Sequence, residues 1–74
     1  MDVAGTQDDL EIWLNGQRQT TYAQSLAELV KAHAPGGLKV ATALNGHFVP
    51  EPQRATTRLS PGDRVEIVSP RQGG

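Results

Sequence analysis

Apolar and polar residues alternate from position 10 onward. Leu10, Ile12 and Leu14 share one side, and Glu11 and Trp13 the other, which is the period of a half-buried strand. Asn15-Gly16 follows and predicts a two-residue type I′ turn, because both central positions of that turn need positive φ. The return strand, Gln17 to Tyr22, is polar and weakly patterned, so it is expected at a sheet edge. At Ser25 the period changes. Ser25 and Glu28 have the spacing of a capping box, in which each side chain satisfies a free backbone N–H of the first turn. Leu26, Leu29 and Val30, with His33 one turn on, put three aliphatic residues on one stripe of a helix. Lys31 and His33 lie where the helix dipole favours positive charge, and Pro35-Gly36-Gly37 stops the helix.

Alternation then returns. Leu38, Val40, Thr42 and Leu44 are expected to face the helix, with Ala41 and Ala43 on the opposite side. A second Asn-Gly, at 45 and 46, predicts another tight turn leading into "HFVP", where Phe48 is expected to plug the core. "EPQRATTR" reads as a loop with a single helical turn. Ser60-Pro61-Gly62-Asp63 makes a turn, and Val65 and Ile67 alternate with Glu66 and Val68 in a final strand.

The order is hairpin, helix, strand, short strand, strand. It predicts an α+β fold: a mixed sheet of four or five strands with one main helix packed on one face. The final strand should lie parallel to the first, since the helix supplies the long crossover that parallel pairing needs. That is a β-grasp arrangement. Its expected limits are residues 9–69, preceded by a disordered leader at 1–8 and followed by a flexible tail at 70–74.

Composition narrows the function. The 74 residues suffice for one small domain, which buries about 60% of its unfolded surface. There is no cysteine, hence no disulfide, thiolate metal site or catalytic thiol. Seven basic and eight acidic residues give a net charge of −1, without the basic excess that nucleic-acid binding requires. No apolar run approaches the roughly 18 residues of a membrane helix, and "MDVAGTQDD" lacks the apolar centre of a signal peptide. A soluble, cytoplasmic monomer is expected, with its polar edge strand discouraging self-association.

Catalytic chemistry finds little support. His33 and His47 are the only histidines, no nucleophile motif accompanies them, and their separation is not that of metal ligands. Gly36-Gly37 follows a helix, whereas a phosphate-binding loop precedes one. No catalytic residue, metal or bound cofactor is therefore expected.

The tail offers more. Pro70 ends the last strand, Arg71 and Gln72 are polar, and Gly73-Gly74 carry no side chains. Such an end can enter a channel too narrow for other residues. Its terminal carboxylate, with a reference pKa of about 3.5, is ionised and a poor acyl electrophile at neutral pH. Activation as an acyl-adenylate is the natural route, and with no nucleotide site in the domain another protein must perform it. A frayed terminus can carry the same residues, so the tail alone does not decide.

The order of "LNG", "SLAELV", "VATALNGHFVP", "LSPGDRVEIVSP" and a terminal "QGG", spread from about Leu10 to Gly74, resembles the ThiS family, sulfur carriers of thiamine biosynthesis with a ubiquitin-like β-grasp fold. The resemblance implies that Gly74 is adenylated by an ATP-dependent ThiF-type enzyme, with ATP used by that partner. Sulfur from a desulfurase or sulfurtransferase would then give a thiocarboxylate, and thiazole synthase (ThiG) would consume it. Gly73 and Gly74 would carry this chemistry, with Pro70, Arg71 and Gln72 entering the partner's active site. The sequence departs from many members at "VPEPQRATTRL", where Glu51 follows Pro50, and no partner contact is carried over to that loop.

Alternation places Trp13, Ala41, Ala43 and Val68 on the sheet face away from the helix, a candidate docking patch. Two other readings stay open. One is a molybdopterin-type sulfur carrier with the same end; the other is a ubiquitin-like interaction module whose tail is incidental.

Overall fold

The structure, a computed structural model, describes residues 9–34 and 39–69. The expected leader at 1–8, the Pro35-Gly36-Gly37 stop, Leu38 and the tail at 70–74 lie outside the described residues. Strands β1 (Leu10–Leu14) and β2 (Gln17–Thr21) form the first hairpin, and helix α1 spans Leu26–His33. Strands β3 (Ala41–Leu44) and β4 (His47–Val49) form the second hairpin. A 3-10 helix covers Glu51–Thr56, and β5 spans Arg64–Val68.

The strands lie in the order β2-β1-β5-β3-β4, so the last strand occupies the centre. It pairs parallel with β1, at Trp13↔Arg64 and Leu14↔Val65, and antiparallel with β3 from Ala41↔Val68 to Leu44↔Val65. This is the expected parallel pairing, closed through the helical crossover. Both hairpins turn at Asn-Gly with φ of 52° and 85° at Asn15 and Gly16, and 52° and 87° at Asn45 and Gly46. Those are the left-handed angles a type I′ turn requires.

Ile12, Leu14, Val65 and Ile67 face Leu26 and Leu29 of α1 in one buried cluster, closed by Ala23, Val49 and Leu59. Leu10, Val30, Val40 and Leu44 pack against its rim. The helix starts as its sequence predicts, with a small difference. The Glu28 N–H donates to Ser25 Oγ at 3.2 Å, but the Glu28 carboxylate accepts from the N–H of Gln24, one residue before the cap, at 2.9 Å. His33 is exposed, so the buried stripe ends with Val30.

Two expectations give way. "EPQRAT" forms six residues of 3-10 helix in place of a loop with a single turn. Pro52 fits its first turn, where a missing N–H costs nothing. Arg54 then anchors it: Nε donates to Thr42 Oγ1 at 3.0 Å and an Nη donates to the Val40 carbonyl at 2.7 Å. Thr42, only 2% exposed, donates its hydroxyl to the Val49 carbonyl at 2.7 Å. The second correction concerns Phe48, which is 69% exposed and is no core plug. The hairpin pairs Ala43 with Phe48 and Thr42 with Val49, so Val49 shares the core side with Thr42 and Phe48 takes the other.

Candidate functional site

The open sheet face is set by strand parity. Opposed residues in neighbouring strands project to the same side, so Ala41 with Val68, Ala43 with Glu66 and Phe48, and Trp13 with Arg18 and Arg64 all lie opposite α1. Each sequence-predicted docking residue therefore sits on this face. Val68 is 55% exposed and Trp13 42%, and Ala41 and Ala43, on the other side of β5 from Trp13, are half-buried.

They do not make one patch. Ala41, Ala43, Val68 and Phe48 adjoin one another at the end of β5 that leads into Ser69. Trp13 lies beside Arg64, four residues earlier on β5, which is about 13 Å away along the strand. Its surroundings are polar. The Arg18 guanidinium lies 6.0 Å from the indole centroid and also pairs with Glu11 at 3.4 Å. Next to Trp13, an open depression of about 350 Å³ is lined by Trp13, Gly16, Arg64, Val65 and Glu66.

Phe48 is the residue that sequence reasoning missed. The available signal was the two-residue Asn45-Gly46 turn, which forces Leu44 opposite His47 and hence Ala43 opposite Phe48. With Ala43 already placed on the open face, Phe48 had to join it.

The approach to the tail is fixed as far as Val68. The Asn15 side chain binds Ile67 through both its backbone groups, and β3 pairs with Val68 on the other side. Pro70, Arg71, Gln72, Gly73 and Gly74 lie outside the described residues. Among the described residues, no group of three or more His, Asp or Glu side chains is placed to hold a metal ion. No helix of those residues is long and apolar enough to cross a membrane.

A five-stranded mixed sheet that holds one helix on one face and leaves the other open defines a ubiquitin-like β-grasp protein. The family model for ThiS matches residues 12–74, and the chain belongs to the ThiS family. Its fold is similar to the crystal structure of the thiamine biosynthesis protein ThiS from Geobacter metallireducens. The two share 26% sequence identity with a TM-score of 0.69, over 81% of this chain and 93% of the other. No curated protein matches the chain.

Proposed function

We propose that this protein is the sulfur carrier of thiamine biosynthesis and acts as a co-substrate, with no catalysis of its own. The carrying observation is the family match, which runs to residue 74 and so takes in the Gly73-Gly74 end. The fold supports it. An apolar patch of Ala41, Ala43, Phe48 and Val68 ends beside Ser69, so a protein seated there lies next to the departing terminus.

In this reading an ATP-dependent adenylating enzyme docks on that patch and receives Pro70 to Gly74. The Gly74 carboxylate attacks the α-phosphate of ATP, forming an acyl-adenylate and releasing pyrophosphate. The terminal sulfur of a persulfide on a desulfurase or sulfurtransferase displaces AMP to give an acyl disulfide, and a thiol then cleaves the S–S bond, forming a new disulfide and leaving the thiocarboxylate. A thiazole synthase then takes the sulfur. Adenylation is needed because an ionised carboxylate, with a pKa of about 3.5, resists nucleophilic attack.

Intact mass spectrometry tests this after incubation with ATP, the adenylating enzyme and a sulfide source. The expected result is a mass gain equal to exchanging one oxygen for sulfur, absent once Gly74 is deleted. An unchanged mass, with an activator competent on another carrier, would leave the interaction-module reading.

A further inference from the structure

The tripeptide Leu-Asn-Gly occurs twice, at 14–16 and 44–46, and each copy turns a hairpin. The backbone is the same in both, with φ of 52° at Asn15 and Asn45. An asparagine before glycine is open to spontaneous deamidation, because glycine has no side chain to shield its amide nitrogen. That nitrogen attacks the asparagine Cγ, ammonia leaves, and a succinimide forms. Water then opens the ring to aspartate or isoaspartate. One water is consumed and one ammonia released, with no oxidant or reductant. The ring closes only after the side-chain amide has left its hydrogen bonds. With the same tripeptide in the same turn, tertiary contacts decide which site reacts.

Those contacts differ. The Asn15 Oδ1 accepts from the Ile67 N–H at 2.9 Å and Nδ2 donates to the Ile67 carbonyl at 3.1 Å, both part-buried. Freeing this amide leaves two backbone groups of the central strand without partners, beside a buried side chain. Its hairpin is also closed by five residue pairs. The Asn45 Oδ1 accepts from the Arg64 N–H at 2.9 Å, and Nδ2 donates to the Asp63 carboxylate at 3.1 Å. Both of these bonds are exposed, so water can replace them. Its hairpin has three residue pairs, and β4 is an edge strand. Opening there is local and does not disturb the middle of the sheet.

We infer that Asn45 is a site of spontaneous deamidation in the folded protein, that Asn15 is protected, and that the aspartyl product at 45 loosens the start of β5 through Asp63. The aspartyl form loses the donor to Asp63 and sets a second carboxylate against it, and like charges at that distance repel. The isoaspartyl form adds a methylene to the backbone of a two-residue turn. It puts Leu44↔His47 and Ala43↔Phe48 out of register. Both products therefore act on the second hairpin and its contact with β5. The inference does not depend on the carrier reading.

The full chain is held at mildly alkaline pH, with and without urea, sampled over time and digested with trypsin. Cleavage at Arg18, Lys39 and Arg54 puts the two sites in different peptides. Mass spectrometry follows the gain from exchanging an amide NH2 for OH, and chromatography separates the isoaspartyl form. In the folded protein Asn45 should react at least about fivefold faster than Asn15, the factor that one net hydrogen bond supplies. In urea the two rates should agree within about twofold, because the unfolded chain has neither hold. Equal rates in the folded protein, faster reaction at Asn15, or no reaction at Asn45 overturns the inference. A ratio that persists in urea also overturns it, since local sequence would then set the difference.

Asn45→Asp reproduces the aspartyl product, and aspartate tolerates the left-handed turn. Its urea midpoint should fall below that of the unaltered protein. Adding Asp63→Asn reverses donor and acceptor across the contact and keeps an oxygen for the Ser60 N–H. The combined variant should regain most of the lost midpoint. A combined variant no more stable than Asn45→Asp alone, or Asn45→Asp as stable as the unaltered protein, overturns the role given to Asp63.

Discussion

Phe48 and Tyr22 are aromatic side chains with nearly the same exposure, 69% and 71%, in different surroundings. Phe48 lies on the open face beside Ala43, and Tyr22 follows β2 just ahead of α1. If the open face seats the adenylating enzyme, Phe48→Ala should weaken that complex and Tyr22→Ala should not. A phenylalanine buries about 150–250 Å² when fully covered, so the exposed share of Phe48 is on the order of 140 Å². At about 25 cal/mol per Å², covering it contributes about 3.5 kcal/mol. Truncation to alanine removes roughly two-thirds of that, about 2 kcal/mol, which is close to a 30-fold loss of affinity. Folding stability should change by about 1 kcal/mol or less, because the side chain is already in water.

Titration calorimetry with the adenylating enzyme measures the first quantity, and urea unfolding the second. The reasoning is refuted if Phe48→Ala binds as well as Tyr22→Ala. It is equally refuted if Phe48→Ala unfolds more than about 2 kcal/mol more easily, since that magnitude belongs to a packed residue.

Three further outcomes follow from the packing. Leu26→Ala should cost about 2–5 kcal/mol in urea unfolding, because Leu26 is fully buried at the helix start and cannot be replaced by solvent. Ser25→Ala should cost about 1 kcal/mol by the same measurement through loss of the Glu28 cap bond, with the helix still present by circular dichroism. Arg54→Lys should behave more like Arg54→Ala than like the unaltered protein, losing about 1 kcal/mol. A lysine keeps the charge but cannot reach both Thr42 Oγ1 and the Val40 carbonyl with a planar fork.

What could be read ahead of the structure was whatever local backbone demands select. The two Asn-Gly turns were legible because few residue pairs accept positive φ twice in succession, and the helix start because Ser25 and Glu28 satisfy groups within one turn. Parallel placement of β5 beside β1 followed from the length of the crossover. Phe48 was misjudged because a strand of three residues shows too little alternation to reveal its parity, which its partner Ala43 sets instead. Trp13 was assigned to the correct face, but its distance from Val68 depends on how β5 runs between β1 and β3. The hold of the Asn15 side chain on Ile67 stayed hidden because turn formation already accounted for that residue. The 3-10 helix at Glu51–Thr56 is made of residues with no apolar period, and Arg54 holds it by contacts with Thr42 and the Val40 carbonyl, 12 and 14 residues earlier and outside any local pattern.

The place of β5 in the middle of the sheet has a consequence for the order of folding. Until its residues are available, the chain consists of two separate ribbons, β1 with β2 and β3 with β4, which share no ladder with each other. A lone two-stranded ribbon is marginal in water, so neither half has reason to persist. Trp13 must close a loop of about fifty residues to meet Arg64, the kind of distant pairing that slows folding. A nascent or clipped chain that stops before Arg64 therefore has no joined sheet, and the face carrying Phe48 and Val68 does not exist in it. Folding itself restricts the proposed docking surface to chains synthesised at least as far as the strand that leads into residues 70–74.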